Sequence, residues 1–166
     1  MPTKTWNSAT SGLWSSHNWT PGTAPPNSGD SVVLEQVGAS TAAYTVTYDE
    51  TQHPDIHVLT INFSGATLNF DGAHVLNVST LTDVSAGTID LLRSGALLDT
   101  TGLDVGTAGV VDVGSNGELA ATTGNISDQG LLESTAGLGI VIGTLGGTGI
   151  VAAKGGTLDL ASTSAQ

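Results

Sequence analysis

Residues 87–113 read GTIDLLRSGALLDTTGLDVGTAGVVDV, and this stretch decides the fold. It holds one device twice: a glycine, then a short apolar run carrying one acid, as GTIDLL at Gly87 and GVVDV at Gly109. The device recurs on either side, as GATLNF at Gly65, GLLES at Gly130 and GIVAA at Gly149. The five glycines stand 22, 22, 21 and 19 residues apart. A second apolar knot follows each glycine (Leu76, Leu97, Leu119, Ile140, Leu158), and a third follows the first four (Leu81, Leu103, Ile126, Leu145). Self-similarity at a period near 20 marks repeats that bury their apolar faces only by stacking on one another. Three short strands per period with glycine-rich turns predict an all-β fold, a parallel β-helix or β-solenoid.

Outward from this stretch the chain changes character. Residues 1–30 hold all three tryptophans (Trp6, Trp14, Trp19) and four of five prolines, and TPGTAPPNSGD cannot be a central strand. Large aromatics on an irregular segment suit a plug for the open end of a solenoid core, so 1–30 is expected to be an N-terminal cap. The solenoid is expected over 31–166, with irregular first coils at 31–64 and regular coils from 65 to 166. The last coil, GIVAAKGGTLDLASTSAQ, ends without aromatics or a charged flap, which leaves strand edges and core to be covered. Its expected cover is further coils of a longer parent chain or another copy of the chain.

Composition narrows the function. Lys and Arg number three against fifteen acids, for a net charge of −12. Nucleic acid is excluded, because phosphate contacts need clustered cations, and anionic membrane surfaces would repel the chain. No apolar run approaches the ~18–20 residues a membrane helix needs. Cysteine is absent, so disulfides and thiolate metal sites are too. The opening MPTKTWNSATSG lacks the basic-then-apolar layout of a signal peptide.

Trp6, Gly12-Leu13-Trp14, Asn18-Trp19, Pro21-Gly22, Pro25 and Gly29-Asp30-Ser31-Val32-Val33 occur in that order. Together they resemble the opening of β-helical modules in large secreted bacterial surface proteins of the autotransporter and adhesin type. The coils that follow are similar to the passenger repeats of those proteins. The resemblance implies a right-handed parallel β-helix at the cell surface, serving in adhesion, aggregation or as a stalk.

Candidate sites follow from position within the repeat. Counted from each coil glycine, Asn69, Asp90, Asp112 and Glu133 fall at nearly the same place and are expected to stack, with Asp83, Asp104 and Asp128 as a looser second column. Carboxylates one strand apart repel, so the column Asp90, Asp112, Glu133 either stays solvated or is bridged by calcium, which takes several oxygen ligands. His53 and His57, in HPDIH, offer two imidazoles for a transition metal, with no third ligand set by the spacing. Trp6, Trp14, Trp19 and Tyr44 would bind surface glycans if exposed and form core if buried. An enzyme is not expected: Arg93 and Lys154 lie far apart in the coil count, and no Trp or Tyr follows Tyr48.

The expected function is a non-catalytic structural or adhesive module of a bacterial extracellular or surface protein. It would act as a stiff rod that associates end to end into filaments. A glycan-binding adhesin domain is the alternative, and a polysaccharide lyase-like enzyme the third.

Overall fold

The computed structural model describes residues 1–161, with Thr122 described by its backbone alone. It is a β-solenoid of about five turns, without helix among the described residues. Fourteen strands follow one another: β1 (Thr3–Trp6), β2 (Gly12–Leu13), β3 (Trp19–Thr20), β4 (Ser31–Leu34), β5 (Tyr44–Tyr48), β6 (Asp55–Phe70) and β7 (Val75–Leu91). After these come β8 (Leu97–Thr100), β9 (Leu103–Val113), β10 (Gly117–Asp128), β11 (Leu131–Ser134), β12 (Gly137–Gly147), β13 (Ile150–Ala153) and β14 (Gly156–Ala161). The longest, β6 and β7, do not stop at the corners but bend through them, with register shifts at Ile56/Val58 and Val84/Ala86.

Three parallel ladders form the faces of the rod, and their registers define the core. On the first face Val32, Leu59, Thr82, Leu103, Ile126 and Leu145 stack, beside Leu34, Ile61, Val84, Val105, Asp128 and Gly147. The second face stacks Val46, Leu68, Ile89, Val111, Leu132 and Val151. The third stacks Leu76, Leu98, Leu119, Val141 and Leu160. Nearly all of these side chains are buried up to the last coil, so each column is a continuous apolar stripe along the axis.

Against this register several expectations shift by one or two residues. In the third-face column Leu98 and Val141 point inward, not Leu97 and Ile140, and Leu160 takes the next position of that column while Leu158, two residues earlier on the same side, packs against the core. Thr82 replaces Leu81 in the first face, its hydroxyl bonded to Thr100 Oγ1 at 3.1 Å. Where two apolar residues are adjacent, strand alternation sends only one inward, and the corner bulges decide which.

The glycine column itself is Gly87, Gly109, Gly130 and Gly149, in register across β7, β9 and the turns before β11 and β13. Gly65 stands one residue out of line: Ala66 takes the column position, between Tyr44 and Gly87. The reason for glycine is steric. A Cβ at Gly109 would run into the carbonyl oxygen of Val84, and one at Gly87 (φ +103°) would lie 2.6 Å from that of Phe63. The chain folds back on the preceding coil so tightly at this corner that no side chain fits.

At the head of the rod, residues 1–30 extend two of the ladders. β1 lies parallel to β4 and β2 parallel to β5, while β3 closes the outer edge of β1 as an antiparallel partner. Trp6, Trp14 and Trp19 are buried there, with Trp19 edge-on to both neighbours at 5.0 and 5.1 Å. Trp14 meets Tyr48 at 5.1 Å, and Tyr48 meets Phe70 at 5.0 Å, so the aromatic cluster runs straight into the second-face core. Gly12 leaves the room that the Trp6 indole occupies.

Substituting Gly109→Ala is expected to cost at least about 2 kcal/mol, because backbone rather than a side chain must move. Gly146→Ala, where an added Cβ meets nothing within 4 Å, should stay within about 0.5 kcal/mol of the parent. Thermal unfolding of the two variants checks the contrast; equal midpoints would refute the corner explanation.

Candidate functional site

The acidic column forms as its spacing implied. Thr47, Asn69, Asp90, Asp112, Glu133 and Ala152 stand in register on the outer side of the second face. Alternation puts them outward because Leu68, Ile89, Val111 and Leu132 on either coil partner point inward. Yet Asp112 and Glu133 are themselves largely buried.

Each acid in the column is handled differently. Asp112 accepts hydrogen bonds from the Thr135 backbone N–H at 3.0 Å and from the Thr135 hydroxyl. Glu133 is paired with Lys154, Nζ to Oε2 at 2.7 Å. Asp90 has neither device. Burial, and then the charges of Asp112 and Glu133, push its carboxyl up to about 6. Asp112 is thus held by Thr135 and Glu133 by Lys154. No group of three or more His, Asp or Glu is placed to hold a metal ion among the described residues. The calcium expectation for Asp90, Asp112 and Glu133 therefore finds stacking without a cage.

The second column holds in part. Asp83 and Asp104 stack, but the next position is Ser127, and Asp128 falls in the inward column above Val105. This is the main departure from the sequence reading, since a carboxylate stands where the lower coils carry Ile61, Val84 and Val105. Asp128 is 2 % exposed. Its Oδ1 accepts the Gly130 N–H at 2.9 Å, while Oδ2 is buried without a partner. Burial raises its pKa. Above it Gly147 and Gly149 contribute no side chains, and a cavity of about 140 Å³ opens between Asp128, Leu145, Gly146, Gly147, Gly149 and Val151.

The glycan candidates are packed rather than presented. Trp6, Trp14, Trp19 and Tyr44 are all buried, the Trp19 indole donates to Trp14 O at 2.8 Å and the Tyr44 hydroxyl to Glu35 O at 2.8 Å. Rings in that state cannot stack on a sugar. The histidines separate as well: His53 Nδ1 faces Val75, and His57 Nδ1 pairs with Thr80 Oγ1 at 3.0 Å. A feature with no sequence signal is a trough of about 380 Å³, with Asp55, Asn77 and Asp99 beside Ser79, Thr101 and Thr123. It arises because the outward residues of the third face and its following corner are polar on successive coils.

The sign of the Asp90 effect follows from its raised pKa. Native Asp90 holds its proton to higher pH than the unfolded chain does, so its contribution is fully present below pH ~4 and is lost as pH rises through about 6. Asp90→Asn is expected to raise stability at pH 7.5 by about 1 kcal/mol, solvent at the part-exposed carboxyl reducing what the shift alone would give. It should also flatten the fall in melting temperature between pH 4 and 6; an unchanged pH profile would refute the account.

Comparison with protein-family models, curated proteins and solved structures finds no match to this chain.

Proposed function

We propose that this chain is a non-catalytic structural module, a stiff rod of stacked coils that is extended end-on at its C-terminal coil. The observation that carries the reading is where the apolar surface lies. The large apolar side chains exposed are Met1 and Leu13 near the head, and Leu138, Leu145, Ile150, Val151 and Leu160 in the last coils. None lies between residues 14 and 137, so the flanks are polar and acidic while apolar surface collects at the ends. Three inward columns run out at Leu145, Val151 and Leu160, which are 36 %, 40 % and 50 % exposed. Their partners on the preceding coil, Ile126, Leu132 and Val141, are buried. A further coil, from a longer parent chain or from another copy, would bury them in the same way. The resemblance of the opening segment to secreted bacterial surface modules supports an extracellular setting and an adhesive or stalk role.

A rod tolerates a change of length, because its stability is a sum over coils and their interfaces. Duplicating residues 103–125 in place adds one coil, since Leu103 and Ile126 stand in register. The longer chain is expected to fold cooperatively, to extend by about 4.8 Å in small-angle scattering and to melt no lower than the parent. A duplicated chain that does not fold would count against a modular rod.

A second reading, glycan binding, draws on the trough at Asp55, Asn77 and Asp99. Its carboxylates, amide and hydroxyls offer hydrogen bonds to a neutral or amine-bearing sugar, and its lack of cations disfavours polyuronides. Titration with neutral oligosaccharides is expected to shift the Asn77 side-chain amide in NMR spectra; no shift at millimolar sugar removes this reading.

A further inference from the structure

The trough beside the third face has a chemistry that narrows what it takes. Asp55, Asn77 and Asp99 stand in register on three successive coils, and the column then passes to Ala120. At the other end Ser28 and Gly29 close on Asp55: its N–H donates to the Ser28 hydroxyl at 3.2 Å, and its carbonyl accepts from Gly29 N at 2.8 Å. The polar column is therefore three coils long and runs parallel to the rod axis. Two strand spacings set Asp55 and Asp99 roughly 10 Å apart, with the neutral Asn77 amide between them.

The trough offers acceptors and few donors. The Ser79 hydroxyl donates to Ile56 O at 3.2 Å and the Thr101 hydroxyl to Ser79 O at 2.9 Å. Both protons are thus spent on the preceding coil, and only lone pairs remain for a ligand. Asn77 Nδ2 donates to Asp55 Oδ1 at 2.7 Å, which takes one of its two N–H groups. No Lys or Arg lines the trough, and among the described residues the ion pairs are His74–Asp71 and Lys154–Glu133. Neither Asp55 nor Asp99 therefore meets a cation. Such a surface is matched by a ligand that donates, and most strongly by one that donates from a positive charge. We infer that the ligand of the trough is an amine-bearing oligosaccharide. It lies extended along the rod axis, with ammonium groups at Asp55 and Asp99 and hydroxyls donating to Ser79 and Thr101. This rests on the glycan reading of the trough and adds the charge and direction of the ligand; the rod does not depend on it. A volume of about 380 Å³ is within the range of small-molecule sites. No aromatic ring lines the trough, so the contacts are mainly polar and binding weakens with salt.

NMR titration of the full chain with deacetylated glucosamine oligomers of increasing length tests this. Affinity is expected to rise at least about fivefold from monomer to trimer and then level off, because the column ends at Ala120. N-acetylation of the same oligomers should weaken binding at least about tenfold, while still shifting the Asn77 side-chain amide at millimolar sugar. Asp99→Asn should weaken the free-amine trimer at least about tenfold and the acetylated trimer less than about twofold. Asp104→Asn, on the first face, should change neither. Spermidine carries amines without rings and should bind at least about fivefold more weakly than the free-amine trimer. The comparison of free and acetylated oligomers uses the parent chain alone, so it decides the matter even where a variant fails to fold. Equal affinity for the two, or an Asp99→Asn chain that binds the free-amine trimer as the parent does, overturns the cationic ligand and leaves the glycan reading standing. Spermidine binding as tightly as the trimer overturns the saccharide. No shift with either set of oligomers removes the glycan reading itself, and this ligand with it.

Discussion

In-register parallel stacking is the constraint on which the rest of this structure depends. Once coils lie one strand spacing apart, every side chain sits on its counterpart in the coil below, and a residue is fitted to its column before it is fitted to anything else. Inside, the constraint is favourable. Val46, Leu68, Ile89, Val111 and Leu132 form one apolar stripe in which each residue is buried by the next. Outside, it is costly wherever like charges recur. The column from Asp90 to Glu133 shows three responses to the same repulsion: a threonine clamp on Asp112, a lysine on Glu133, and an up-shifted carboxyl at Asp90.

The corners obey the same rule more strictly. For successive coils to keep the register, the chain must turn at the same height each time, and at one corner this brings Gly109 against the carbonyl of Val84 and Gly130 against that of Gly106. Exclusion of Cβ at this place from Gly87 onward is what writes the period into the sequence, while the coil before carries Ala66 there. Core positions tolerate Leu, Ile, Val or even Thr82, so they carry the repeat less legibly than the glycines do.

That difference explains which features could be read in advance. The solenoid, the period and the acidic column from Asn69 to Glu133 follow from spacing counted off glycines that cannot be exchanged. The errors cluster where spacing gives no such anchor. Leu97-Leu98 and Ile140-Val141 are adjacent apolar pairs, and only the register of the neighbouring coil decides which member faces inward. Asp128 stands one residue beyond the Asp83–Asp104 column, which on a strand is enough to move a side chain from the surface to the core. The three tryptophans are buried as the cap reading implies, and Trp14 packs on Tyr48 of another coil, which in turn packs on Phe70.

The interior also changes along the rod, and the change bears on what each end can do. At the head, aromatic side chains supply bulk where regular strands are lacking, and they continue the core across a segment too irregular to stack. Toward the tail the inward positions become small or polar: Asp128, Ser134, Gly139 and Gly147. Among the described residues, buried side-chain atoms without a partner lie toward the two ends, on Trp6, Trp14 and Ser16 and on Asp128 and Ser134, with none in the coils between. The buried polar atoms described in the middle of the rod are thus satisfied, whereas the tail places the buried carboxylate of Asp128 beside a cavity of about 140 Å³. The interior is therefore packed least completely in the last two coils.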